Sequence, residues 1–265
     1  MIKKFAIFGD PVEHSLSPKM HNSAFKELNF NGIYNKIHLK DGTKLKETFL
    51  KENLLGANIT VPHKEAAFRA CDKLDEFAKK VGAVNTIVLK ENLLYGYNTD
   101  APGFLKSIEK FKDISTILII GAGGTTQATS KVLKDANYKV TILNRSQARL
   151  ESFIKDGFEC YNWDSFDTTK SYDLIVNMTS AGLSDTNLPA PKDIVETLLK
   201  NATAAVDIIY GKITPFLELA IKANLPISDG KEMLINQGVL AFDYFTNHQY
   251  NLDDIEKIMK AALAE

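Results

Sequence analysis

Residues Thr116–Ala128 read TILIIGAGGTTQA. The run from Thr116 to Ile120 is apolar or β-branched on both faces, as expected of a central parallel strand covered by helices on either side. It runs into Gly121-Ala122-Gly123-Gly124 and then into a stretch with helical spacing, predicted over Thr125–Asp135. Gly121 permits a tight turn, Gly123 lets the backbone approach a pyrophosphate, and the first N–H groups of the helix face that anion. A strand–glycine turn–helix of this kind predicts a dinucleotide site. The third glycine position of GxGxxG holds Thr126, so helix and strand are expected to pack slightly farther apart. An ordinary glycine turn in a flavodoxin-like sheet fits the same residues.

The next strand sharpens the choice. KVTIL runs into Asn144-Arg145-Ser146, with Arg149 one helical turn further on. An NAD site usually carries Asp or Glu at this strand tip, to accept from the ribose hydroxyls. Here two guanidiniums and a hydroxyl stand there instead, and the planar donor fork of arginine suits a 2′-phosphate. NADP is therefore favoured over NAD, against the alternative of two solvated arginines at a helix start.

Strand-like and helix-like segments alternate on both sides of this unit, which predicts α/β layers with largely parallel sheets. Strands are expected at Lys4–Gly9, Tyr34–Leu39, Ala57–Val61, Ala83–Leu89, Leu93–Tyr97, Asp173–Asn177 and Ala204–Ile208. A hairpin is expected around Lys90-Glu91-Asn92. Helices are expected from Pro18 to Leu28, over Thr43–Leu55, from Pro102 to about Phe111, and over Ser146–Lys155, Asp193–Lys200 and Thr214–Ala223. A turn at Ser228-Asp229-Gly230 precedes a long helix to about Phe245 and a last one over Leu252–Leu263. A chain of 265 residues suits two domains better than one. The best boundaries lie near Asp100–Phe104 and Ser228–Glu232.

Composition narrows the partners. Hydrophobic residues make up 45% and charged residues 25%, enough to bury a sizeable core. The formal charge of −1 argues against broad nucleic-acid or membrane-surface binding, which rely on basic patches. Cys71 and Cys160 form no CxxC motif, so neither a disulfide framework nor a zinc site is expected, and a reducing compartment is. The N-terminal apolar run is too short for a signal peptide, and no run approaches a bilayer span, so a cytoplasmic protein is expected.

Four polar clusters fall at strand ends or in loops. GDPVEHSLSPKMHN places Ser15 and Ser17 before the Pro18 helix. Two such hydroxyls can bind a small carboxylate or can cap the helix. NITVPHK supplies Asn58, Thr60 and Lys64, VGAVNT supplies Asn85, and GYNTD supplies Asp100. Ligands of α/β sheets sit at strand ends, so Lys64 and Asp100 are a candidate ammonium–carboxylate pair for proton donation; a structural salt bridge is the other reading. His14, His21 and His63 lie in separate loops without ligand spacing, so no metal site is expected.

In order along the chain, GDPVEHSLSPKMHN, NITVPHK, GAVNT, NTD, GAGG, NRS, NMTSAG, DIIYGKITPFL and DGKEMLINQG together resemble the shikimate/quinate dehydrogenase family. That resemblance implies NADPH-dependent, reversible reduction of 3-dehydroshikimate to shikimate. It implies an α/β fold of two domains: a substrate domain from residues 1–103 and 232–265, and a Rossmann-type NADP domain over 104–231 with a parallel sheet, the active site lying in the cleft. Ser15 and Ser17 would hold the substrate carboxylate, with Tyr210 near that end. Asn58, Thr60, Asn85 and Gln237 would wall the ring hydroxyls, and Lys64 and Asp100 would be the catalytic pair. Gly121, Ala122, Gly123, Gly124, Asn144, Arg145, Ser146 and Arg149 would hold NADP. Thr179 and the loop Met178–Gly182 would lie along the cofactor, with Gly211, Gly230 and Met233 near the nicotinamide. A monomer or homodimer with a small-molecule substrate is implied. Two rivals remain: a dual quinate/shikimate enzyme using NAD, and a non-catalytic NADP(H) sensor on the same fold.

Overall fold

The computed structural model describes residues 1–264. The chain divides into two compact units, one of Met1–Gly103 with the segment from Ile235 onward, the other of Phe104–Leu234.

The first unit opens with β1 (Lys3–Gly9), α1 (Ser17–Glu27), β2 (Gly32–His38), α2 (Leu45–Lys51) and β3 (Leu54–Ile59). It continues with α3 (Lys64–Ala70), β4 (Lys73–Leu74), α4 (Glu76–Val81), β5 (Thr86–Lys90), β6 (Leu93–Tyr97) and the start of α5 (Asp100–Ile108), whose residues from Phe104 onward belong to the second unit. The sheet order is β2-β1-β3-β5-β6-β4. It is mixed rather than largely parallel, because β5 runs antiparallel to both β3 and β6. The hairpin at Glu91-Asn92 forces this: both residues have positive φ, 51° and 62°, the backbone a tight two-residue connection requires.

Two expectations need correction here. The helix expected over Thr43–Leu55 is a 3-10 turn, Gly42–Lys44, followed by α2, which ends at Lys51. Asn53 then takes a left-handed φ of 54° and turns the chain into β3, so the apolar Leu54 belongs to the strand. The strand expected from Ala83 begins only at Thr86, since the Val84 amide donates to the Lys64 carbonyl instead of a ladder partner. Residues 64–81, without an assignment from the sequence, form α3, β4 and α4.

The second unit contains β7 (Thr116–Ile120), α6 (Gly124–Asp135), β8 (Lys139–Leu143), α7 (Glu151–Lys155), β9 (Glu159–Tyr161) and β10 (Leu174–Asn177). After these come α8 (Lys192–Lys200), β11 (Ala204–Asp207), α9 (Pro215–Lys222) and β12 (Ile227–Ser228). Every pair in its sheet is parallel, in the order β12-β11-β10-β7-β8-β9. This is the doubly wound arrangement, and its switch point lies between β7 and β10, where ligands of such sheets bind. Ile117–Ile120 are essentially fully buried. One face packs on a cluster with Leu133, Leu150 and Phe153, the other on Ile194, Leu198 and Phe216. Two short strands escape the sequence reading: β9, and β12, which occupies part of the expected Ser228 turn.

Helices α10 (Lys231–Phe245) and α11 (Leu252–Ala262) complete the chain. The division between the units falls inside α10, after Leu234, rather than at the turn before it. Within the first unit, α11 lies against α1, and α10 brings Phe242 and Phe245 into an aromatic cluster with Phe5, Phe25 and Tyr34. No helix of the described residues is long and apolar enough to cross a membrane.

Candidate active site

In the first unit, the parallel strands β1 and β3 and the hairpin strand β6 deliver their C-terminal ends to one edge of the sheet, beside the start of β5. Lys64 opens α3 just beyond β3, and Asp100 opens α5 just beyond β6. The Lys64 ammonium donates to Asp100 Oδ2 at 2.5 Å. Their side chains are 25% and 14% exposed, so the pair is held by the fold yet open to a small molecule. The start of α5 suits a carboxylate, whereas the start of α3 does not favour an ammonium. Asp100 therefore contributes the attraction that keeps Lys64 in place.

The neighbouring side chains form a continuous buried network. Asn58 Oδ1 accepts from the Tyr34 hydroxyl at 2.6 Å, and its Nδ2 donates to Thr86 Oγ1 at 3.1 Å. Burial pushes the Tyr34 phenol well above its ordinary pKa, so the hydroxyl stays a donor, and Ser17 meets it from α1. Asn85 Oδ1 accepts from the Thr99 amide at 2.7 Å and its Nδ2 donates to Thr99 Oγ1 at 2.9 Å. This fixes the residue just before Asp100. Asn58 and Asn85 are 4% and 2% exposed, and their amides are engaged within the protein. Thr60 is half-buried against Gly9, where any Cβ would come within 2.5 Å of its methyl. Ser17 is buried, and its amide donates to the half-buried Ser15 hydroxyl at 3.3 Å. Gln237, on α10, lies with its backbone against Gly103, one turn after Asp100.

His21 and His63 belong to the interior. His21 is fully buried in the aromatic cluster, and His63 bonds the Leu39 carbonyl. Among the described residues no group of His, Cys, Asp and Glu could hold a metal ion.

In the second unit, Gly121 sits at φ +116°, and a Cβ there would meet Thr179 Cγ2 at 2.9 Å and the Met178 carbonyl at 3.1 Å. The glycine turn is thus pressed against the loop after β10, at the switch point. Gly123 and Gly124 face open space. Both border a groove of about 530 Å³, with Gln127, Arg149, Ser152 and Lys155 around it and one carboxylate, Glu151, among them. That volume is in the range of small-molecule and cofactor sites. Gly123 caps α6 without any side-chain bond, and the first turn carries no acidic residue. The first N–H groups of this helix therefore suit an anion. These are features a pyrophosphate would fit, and Arg149 with Lys155 suits a further phosphate.

Of the strand-tip residues, Arg149 borders the groove; Asn144, Arg145 and Ser146 form the turn before it, Asn144 Nδ2 donating to the Ser146 carbonyl at 3.0 Å. Sequence reasoning missed Gln127, Ser152 and Lys155. The spacing of three between Arg149, Ser152 and Lys155, which aligns them on one face, was the available signal. Gln127 Nε2 donates to Ser152 Oγ at 2.5 Å. Thr126 is fully buried, its hydroxyl without a partner. Elsewhere, Tyr210 is 37% exposed, Gly230 approaches the Ile208 carbonyl so closely that a Cβ would lie 2.0 Å from it, and Met233 packs on the cluster that includes Met178.

A doubly wound parallel sheet with an uncapped glycine turn at its switch point, joined in one chain to a mixed sheet carrying a polar cluster around an ammonium–carboxylate pair, defines an α/β dinucleotide-binding protein with a separate small-molecule unit. Two family models cover most of the chain: the shikimate dehydrogenase substrate binding domain over residues 7–87 and shikimate / quinate 5-dehydrogenase over residues 105–209. Shikimate dehydrogenase (NADP(+)) of Helicobacter hepaticus is 47% identical over 257 residues, 97% of this chain and 96% of that protein. The crystal structure of shikimate dehydrogenase from Aquifex aeolicus superimposes with a TM-score of 0.90 at 30% identity, covering 100% of this chain and 98% of that one. The Thermus thermophilus enzyme, in complex with NADP(H) and shikimate, gives a TM-score of 0.84 at 33% identity, covering 98% of this chain and 100% of that one. The chain belongs to the shikimate dehydrogenase family.

Proposed function

We propose that this protein is an NADP-dependent shikimate dehydrogenase, reversibly reducing 3-dehydroshikimate to shikimate. The observation that carries the chemistry is the Lys64–Asp100 pair, joined at 2.5 Å and part-open at the strand ends of the first unit. Bound NADPH supplies the hydride. Lys64 uses one N–H to bond Asp100 and has further donors for the substrate oxygen at C3. As negative charge develops there, the ammonium stabilises it and passes a proton to it. Asp100 orients the ammonium and accepts from the neighbouring hydroxyl of the ring. In the oxidative direction the same pair takes the proton back.

Ser15 and Ser17 offer hydroxyls to the substrate carboxylate, and the network through Tyr34, Asn58, Asn85 and Thr99 holds the wall beside it. Thr60 and Gln237 complete that wall, and Tyr210 is a further candidate for the substrate. The uncapped start of α6 holds the pyrophosphate, and Arg149, with Asn144, Arg145 and Ser146, holds the 2′-phosphate. Thr179, Gly211, Gly230 and Met233 line the remainder of the cofactor. Both cysteines are free, which fits a reducing compartment such as the cytoplasm.

Steady-state rates with shikimate or quinate, each with NADP or NAD, test the proposal. Turnover fastest with shikimate and NADP supports it. Faster turnover with quinate and NAD favours the dual enzyme, and binding of NADP without turnover of either acid favours the sensor.

A further inference from the structure

Asp207 closes β11 and is fully buried, yet neither substrate nor cofactor chemistry calls for it. Burial raises its pKa, so a carboxylate is kept here against the cost of desolvation. Three donors converge on it. The Ile209 amide donates to Oδ1 at 2.9 Å, while Asn177 Nδ2 at 2.9 Å and Thr214 Oγ1 at 2.7 Å donate to Oδ2.

Asn177 is the direct lateral neighbour of Asp207 across the β10–β11 ladder. Because its NH2 group is taken by Asp207, its carbonyl oxygen must point the other way. There it accepts from the Thr179 amide at 2.9 Å and from the Thr179 hydroxyl at 2.8 Å. The Thr179 hydroxyl, its proton committed, accepts in turn from the Ala181 amide at 3.1 Å. Each donor direction thus dictates the next, from Asp207 to the loop that touches Gly121.

We infer that Asp207 is a positioning residue for the cofactor site: through the amide orientation of Asn177 it fixes Thr179 and the loop Met178–Gly182 against the glycine turn. This rests on the reading that the glycine turn holds NADP. Asp207→Asn keeps size and shape but replaces one acceptor by an NH2 group. Whichever way that amide turns, the NH2 faces a fixed donor: the Ile209 amide on one side, or the Asn177 NH2 on the other. If Asn177 flips to relieve the second clash, its own NH2 meets the Thr179 amide and the loop loses its anchor. The double exchange Asp207→Asn with Asn177→Asp restores complementarity. The carboxylate introduced at position 177 would then accept both from the new side-chain amide at position 207 and from Thr179, leaving altered the Thr214 contact and the 3.5 Å contact of residue 177 with the Ala181 carbonyl.

Two measurements test this. Amide hydrogen exchange at Thr179 and Ala181, without cofactor, reads the loop itself; calorimetric titration with NADP and separately with shikimate reads its consequence. Asp207→Asn should accelerate exchange at both amides and raise the NADP Kd on the order of tenfold. Its shikimate Kd should stay unchanged, and the double exchange should bring the other two values back near wild type. Unchanged exchange in Asp207→Asn overturns the inference, as does a double variant that folds but stays as impaired as the single one. If Asp207→Asn does not fold, the folded double variant must match wild type in both readouts, and failure of both exchanges to fold also overturns it. Loss of loop protection with no wild-type affinity for NADP would instead sink the cofactor reading and leave the positioning role standing.

Discussion

His21 gives the sharpest stability prediction. It lies on α1, fully buried, its ring 4.3 Å from that of Tyr34 with the planes 2° apart. Phe25, Phe242 and Phe245 surround it, and neither ring nitrogen has a partner. Burial pushes its pKa down from 6.5 to about 3. The folded chain keeps this imidazole neutral, while the unfolded chain takes up a proton below pH 6.5. Its contribution to stability is present above pH 6.5 and is lost as pH falls from there toward 3. Between pH 8 and pH 5, the proton linkage amounts to about 2 kcal/mol. His21→Phe keeps an aromatic ring in the stack and removes the titration, leaving every other histidine in place. Urea unfolding of both proteins across this range, followed by circular dichroism, should show the stability difference moving by about 2 kcal/mol in the variant's favour. The ring-proton NMR signals of native His21 should not titrate in the same range. A stability difference independent of pH, or a native His21 titrating near its ordinary value, would refute the reasoning.

Further expectations concern the two sites. Lys64→Ala should lower kcat by about 10²–10⁴-fold with a smaller change in the shikimate KM, the usual contribution of a general acid; steady-state kinetics check it. Arg149→Ala should weaken NADP by on the order of tenfold while leaving NAD affinity nearly unchanged, because only the former has the extra phosphate; calorimetry with both nucleotides separates the effects. Gly121→Ala forces a side chain into the left-handed region and against Thr179, and should cost about 1–3 kcal/mol of stability as well as NADP binding. Thermal unfolding and titration of the same sample measure both.

Periodic, buried elements were legible from the sequence, and those set by local geometry were not. TILII and its glycine turn specify strand, turn and helix by composition alone, and the structure places them at the switch point of a doubly wound sheet. The break at Asn53 is a single left-handed residue inside a helical pattern, and short β4, β9 and β12 have too few residues to show a period. At the candidate site, residue types at strand ends pointed to Lys64 and Asp100, which the fold joins. Gln127, Ser152 and Lys155 escaped because a groove border depends on how neighbouring helices are placed. Asp207 escaped because its partners Asn177 and Thr214 come from separate elements, and only the ladder brings the first beside it.

The most direct test follows absorbance at the reduced-nicotinamide band as purified protein meets shikimate and NADP, with Lys64→Ala measured alongside. Absorbance should rise steadily with the wild-type protein and at least about a hundredfold more slowly with the variant. No rise with the wild type, or an equal rise with both, would contradict the assignment of a dehydrogenase whose proton is handled by Lys64.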